Sequence, residues 1–143
     1  MKKASIIFLF VIVLFSCSKK DDTNDVCATD AAHISGSYKI TGVTYKLNSV
    51  SPTVDYYNSL FPDACERDDV YSFKSNGTYQ KADVGIACNP IDTFDGTWSI
   101  LENTMKIDGD PAIIEKFDCK ILVLMNSGIM IHGDELRLTL TRQ

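Results

Sequence analysis

Positive charge, histidine, tryptophan and long apolar runs are all scarce in this chain. Its 143 residues carry 14 basic against 19 acidic side chains, and the basic ones form no patch. Nucleic-acid binders need clustered Lys and Arg, so that class is excluded. The two histidines, His33 and His132, lie far apart and in no ligand spacing, so no metal site is expected. Gly-x-Ser-x-Gly, His-Glu-x-x-His and a phosphate-cradling glycine loop are missing. No catalytic residue and no cofactor is therefore expected, and the chain reads as a protein that is not an enzyme. The apolar run Ile6 to Phe15 falls short of the about 20 residues a membrane-spanning helix needs.

That run nevertheless has a meaning. Met1-Lys2-Lys3 precedes it and Leu14-Phe15-Ser16-Cys17 closes it, the layout of a secretory signal. Leu14, Ser16 and Cys17 resemble a bacterial lipobox, in which the cysteine is acylated and becomes the first residue after cleavage. Residues 1–16 are expected as signal peptide, with Cys17 the lipidation site and the membrane the partner it reaches. Cysteine parity agrees: of five cysteines, lipidating Cys17 leaves four, enough for two disulfides in an exported protein. Loss of Lys2 and Lys3 leaves 12 basic side chains against 19 acidic, a balance of −7. Residues 17–30 read as a tether, because Ser18 to Asp25 is wholly polar and cannot bury enough surface to order itself. Lys20-Asp21-Asp22 resembles the acidic export signal of Bacteroidota surface lipoproteins, and the outer membrane, with exposure at the cell surface, is the expected location.

Residues 31–143 read as one all-β domain. Tyr38 and Ile40 alternate with polar neighbours, the phase slips at Gly42, and Val43, Tyr45 and Leu47 resume it; such a slip marks a bulge or bend. Ser49 to Ala64, bracketed by Pro52 and Pro62, places Val54, Tyr57, Leu60 and Phe61 near helical spacing, predicting a short helix at one end. Downstream, Trp98 and Ile100, then Met105 and Ile107, share a face. Phe117, Cys119, Ile121 and Val123 are expected in phase, Ile129 to His132 is expected as a strand, and Leu136, Leu138 and Leu140 point inward. Turn signals at such regular intervals predict an antiparallel meander of about eight strands that closes into a barrel.

Asn76-Gly77 sits between Val70–Lys74 and Thr78–Val84, and predicts a hairpin with a type I′ turn. Cys65 and Cys88 lie equally far from that turn, which makes Cys65–Cys88 the preferred bridge and leaves Cys27–Cys119 as the second. The acidic pairs Asp68-Asp69, Asp108-x-Asp110 and Asp134-Glu135 supply too few oxygens for calcium and read as turn chemistry.

Gly36-Ser37-Tyr38, the block Cys65…Asp68-Asp69…Phe73…Asn76-Gly77-Thr78-Tyr79…Cys88, and Gly96-Thr97-Trp98 resemble the lipocalin-like lipoproteins of Bacteroidota. That resemblance implies an up-and-down barrel with room for packed side chains or one small ligand. Tyr38, Tyr45, Tyr71, Phe73, Tyr79, Trp98 and Phe117 are the candidate lining of an apolar pocket. The expected function is non-catalytic binding of a small apolar or amphipathic ligand. The alternative is a filled barrel that contacts an envelope or host protein through Tyr56, Tyr57, Leu60 and Phe61.

Overall fold

In the computed structural model, which describes residues 27–143, the alternation becomes nine strands: β1 (Gly36–Lys46), β2 (Val54–Asp55), β3 (Val70–Phe73), β4 (Thr78–Ala82), β5 (Phe94–Leu101), β6 (Thr104–Ile107), β7 (Asp110–Phe117), β8 (Ile121–Ser127) and β9 (Glu135–Arg142). Two short α-helices, α1 (Ala31–Ile34) and α2 (Tyr57–Leu60), and a 3-10 turn over Ala64–Glu66 accompany them. The expected signal segment and Cys17 lie outside the described residues. Every paired strand is antiparallel, and β9 returns to pair with β1, so the sheet closes in a ring.

Strand β1 carries the closure. On one edge it pairs with β9 along its length, and the register shifts between Ile40 and Gly42. The extra residue, Thr41, sends its hydroxyl to Thr141 Oγ1 at 2.7 Å. This is the bulge expected from the slip in the sequence, and it keeps Ile40, Val43 and Tyr45 on the face of their partners Leu140, Leu138 and Leu136. On the other edge β1 is divided: Gly36 to Tyr38 pair with β3, whereas Thr44 and Tyr45 pair with β2. Helix α2 fills the interval between these pairings. Tyr57 donates its hydroxyl to the Ile40 carbonyl at 3.0 Å, and the Tyr56 amide donates to Val43 O at 2.9 Å. Two carbonyls that the diverging strands leave without a ladder partner are thus satisfied.

One end of the barrel is solid. Asp30 caps α1 by accepting from the His33 amide at 2.9 Å, and Ile34 drops fully buried onto the barrel floor. The Tyr38 hydroxyl donates to Ile34 O at 2.8 Å and accepts from Arg142 Nη2 at 2.7 Å. The Arg142 guanidinium also lies 5.1 Å above the Tyr38 ring, a cation–π contact. Above this floor Phe73, Trp98, Met105, Ala112, Ile114, Leu122 and Leu140 pack together. Trp98 meets its polar requirement by donating Nε1–H to Lys74 O and Thr78 O, at 2.9 and 3.0 Å. The only tryptophan therefore pins the β3–β4 turn to the core.

The structure corrects four local expectations. Only Gly77 of the β3–β4 loop has positive φ, and Lys74 N bonds Thr78 O; this is a three-residue loop with glycine in the left-handed position, not a type I′ turn. Val54 belongs to β2, not to a helix. Cys119 sits at φ 66° in a turn held by Asp118 Oδ1, which accepts from Lys120 N and Ile121 N. That reversal resets the alternation, so Phe117 faces Leu122. Leu122 and Leu124 are buried, while Ile121 and Val123 stand on the other face. Ile129 to His132 is a loop, not a strand.

Disulfides join Cys27 to Cys119 at the solid end and Cys65 to Cys88 at the other, with Cα atoms 5.5 and 5.2 Å apart. Cys27 and Cys119 are 92 residues apart in sequence; closing so long a loop removes much unfolded-state entropy. The double variant Cys27→Ser/Cys119→Ser should lose about 4 kcal/mol of unfolding free energy in urea titration. A loss under about 1 kcal/mol would show that the floor holds without the bridge.

Candidate functional site

Above the packed floor the barrel is not filled. A cavity of about 220 Å³ is bounded by Ile40, Tyr71, Phe73, Tyr79, Ile107, Leu124, Leu138 and Leu140 from the strands, and by Leu60 of α2 and Phe61 just after it. It lies where β1 and β3 diverge, so α2 is its side wall. Its volume is below the about 300 Å³ at which drug-sized sites begin, and suits a short alkyl chain or a single ring. A second, open depression of about 590 Å³ runs beside the Cys65–Cys88 bridge, bordered by Glu66, Ile86, Pro90 and Asp92.

One cavity wall is fixed by a polar contact outside it. Tyr79 donates its hydroxyl to Asp108 Oδ2 at 2.6 Å, and the Thr97 amide donates to Asp108 Oδ1 at 2.8 Å. The Tyr79 hydroxyl and these donors hold the Asp108 carboxyl below the usual range, while burial and the carboxylate push the Tyr79 phenol up. The ring is thereby fixed flat over Gly96, where a Cβ would collide with both Tyr79 and Asp108.

The rim toward the Cys65–Cys88 end is charged. Lys81, only 6% exposed, pairs across the strand with Tyr71. Its Nζ lies 2.9 Å from Asp69 Oδ2 and makes a second, closer contact with Asp92. Asp69 is 2% exposed. Burial raises its pKa, with Lys81 offsetting part of the effect. Burial likewise opposes the Lys81 charge, but Asp92 and Asp69 outweigh it and raise its pKa.

A second acidic residue organises the same end. The Asp134 carboxylate, fully buried, accepts from the amides of Ile129, Met130 and Ile131 at 2.9 to 3.0 Å and from the Tyr45 hydroxyl at 3.0 Å. Three successive amides turned to one carboxylate cannot also form a ladder, which is why residues 129–132 loop instead of extending. Ile129, Met130 and Ile131 are left half exposed. Asp134 thus acts as the turn residue that the sequence suggests for the acidic pairs. Among the described residues no three His, Cys, Asp or Glu side chains converge to hold a metal ion.

Of the seven aromatic candidates, the structure brings Tyr71, Phe73 and Tyr79 together on the cavity. Tyr38 and Trp98 lie in the packed floor and Phe117 packs against it. Tyr45 stacks on Tyr56 with ring centroids 5.3 Å apart. Leu60 and Phe61, expected as an outer contact surface, turn inward to the cavity. Lys81 is not among the residues the sequence singles out, and Asp69, expected there as turn chemistry, is instead buried and paired with Lys81. Their signal was phase alone: Tyr79 and Lys81, like Asp69, Tyr71 and Phe73, alternate on the inward face.

The chain is thus a closed antiparallel barrel, packed at one end and hollow toward the other. The family model described as a lipocalin-like domain matches residues 20–124, and the chain belongs to that family. No curated protein and no solved structure matches it. The matched stretch ends within β8, so β9, the strand that closes the ring, extends beyond it.

Gly96→Ala should cost about 2 kcal/mol through overpacking and shift Tyr79, read as a lower melting temperature together with a changed tyrosine environment in near-UV circular dichroism. An unchanged melting point would mean that the wall gives way freely. Asp134 yields a pH prediction. Burial alone would raise its pKa, but its backbone and Tyr45 donors hold it below the ordinary value, about 4. Its contribution is therefore complete above that pH and lost as pH falls through the folded-state value. Asp134→Asn should make the acid limb of the stability curve shallower, and an unaltered limb would contradict this.

Proposed function

We propose that this protein is a surface-exposed lipoprotein of the Bacteroidota type, anchored in the outer membrane by acylated Cys17, whose barrel binds a small apolar or amphipathic ligand without catalysis. The observation that carries the binding half is the cavity of about 220 Å³, apolar on nearly every side and walled by α2. The lipobox, the polar tether and the two disulfides support the exported, anchored half. In the alternative, contact with an envelope or host protein, exposed Val50, Ile129 and Ile131 would form the contact. The hollow interior favours ligand binding over that reading.

The binding half is tested by occluding the cavity. Leu138→Phe, placed on its wall, should weaken binding of an apolar fluorophore about tenfold or more while the melting temperature moves by only a few degrees. Equal affinity in both proteins would place the fluorophore elsewhere and remove the case for the cavity. The anchoring half has its own test: Cys17→Ala should move the protein from the membrane to the soluble fraction. Unchanged membrane association would refute acylation as the anchor.

A further inference from the structure

The chain has six tyrosines, and five of them give their hydroxyl a partner. Tyr38 donates to Ile34 O, Tyr45 to Asp134, Tyr57 to Ile40 O and Tyr79 to Asp108, at 2.6 to 3.0 Å, and Tyr56 reaches the Met130 sulfur at 3.9 Å. Tyr71 alone has no hydrogen-bond partner for its hydroxyl among the described residues. It is half-buried, and its ring forms a wall of the cavity. Its cross-strand neighbour Lys81 does not supply the missing contact, because that ammonium is shared between Asp69 and Asp92. Burial pushes the Tyr71 phenol up, so it stays protonated and keeps a hydrogen to donate. A phenol drawn into a protein ordinarily finds a partner, and one without it forfeits the bond that water would have made. A water lodged in the cavity needs two to four polar contacts. The other walls are hydrocarbon or, for Tyr79, have their hydroxyl engaged by Asp108.

We propose that the ligand of the barrel is an uncharged, single-ring aromatic compound carrying one hydrogen-bond-accepting oxygen, and that Tyr71 selects it by donating its hydroxyl to that oxygen. This rests on the cavity-binding reading and adds the chemistry of the ligand. Size sets the first limit: an apolar cavity of about 150 Å³ holds benzene, so about 220 Å³ holds a ring with a short substituent. Ring chemistry follows from the walls, where Phe61, Tyr71, Phe73 and Tyr79 all border the space. Aromatic faces and edges attract another ring beyond what contact area alone gives. Charge is excluded by the same walls, since none of the lining residues is ionic and an uncompensated buried charge costs far more than a buried carbonyl. One free donor then calls for one acceptor.

The test titrates the folded protein and its Tyr71→Phe variant with acetophenone and with its isostere α-methylstyrene, in which a methylene replaces the carbonyl oxygen. Each protein is measured against both probes by calorimetry, so differences in probe hydrophobicity cancel. Loss of one neutral hydrogen bond should weaken acetophenone binding about fivefold in Tyr71→Phe, while α-methylstyrene stays within about twofold. Benzoate and benzylammonium, similar in size but charged, should bind the parent protein more weakly than acetophenone. The ligand-free proteins give a second readout. Because the hydroxyl has no partner to lose, Tyr71→Phe should melt at or above the parent temperature. A melting point lower by several degrees would show that a neighbour such as Asp69 already holds the hydroxyl, and would overturn the proposal. Equal effects of Tyr71→Phe on the two neutral probes would overturn the role of the hydroxyl and leave the cavity reading standing. Tighter binding of either charged probe would overturn the uncharged assignment. Failure of every probe to bind the parent protein would overturn the cavity reading and this one with it.

Discussion

The divided edge of β1 is the constraint from which the interior follows. A strand of eleven residues closes the ring against β9 on one side, but gives only its first three residues to β3 on the other. Had β1 and β3 stayed paired, side chains from the two strands would have met across the upper barrel as they do below. Because they part, the edge carbonyls need other partners, and α2 supplies them through Tyr57 and Tyr56. A short helix covers a wider gap than a strand does, and it brings only Leu60 and Phe61 to the interior. The hollow is the geometric remainder of that exchange.

Much of this architecture was legible in the sequence because it rests on period-two alternation, and alternation survives in a single chain. Gly42 announced its bulge by a phase slip, and Leu136, Leu138 and Leu140 declared their face. Equal arms around Asn76-Gly77 placed Cys65 against Cys88. Two of the failures share a cause: in each, a side-chain hydrogen bond took backbone groups that the pattern assigned to a ladder. Asp118 reversed the chain at Cys119 and inverted the expected phase of β8. Asp134 gathered three amides and converted an apolar run into a loop. Neither carboxylate differs in sequence from an ordinary turn aspartate, so nothing in the pattern distinguishes them.

The candidate site was legible only in part. Tyr71, Phe73 and Tyr79 could be read as inward aromatics, but which aromatics would border a space and which would fill the floor depended on α2 and on the approach of Tyr79 to Gly96. Leu60 and Phe61 looked like an outer surface because a Pro-bracketed segment carries no phase relation to the strands. Lys81 shares the phase of Tyr79, yet a lone lysine in a strand ordinarily marks the solvent face. Its burial becomes intelligible only once Asp69 and Asp92 are found around it.

The two ends of the barrel differ in chemistry as well as in packing. The solid end combines α1, the Tyr38–Arg142 contact and the Cys27–Cys119 bridge. The hollow end holds the Lys81–Asp69 pair, the Asp134 loop and the Cys65–Cys88 bridge. With Cys27 fastened to the solid end, an anchor at Cys17 is at most about 35 Å of extended chain from it. In the proposed anchoring, the solid end is then the one nearest the bilayer and the acidic rim faces away from it. The bridge that stabilises the floor would thereby also orient the mouth. In that proposed arrangement, tether attachment and barrel closure would lie along one axis.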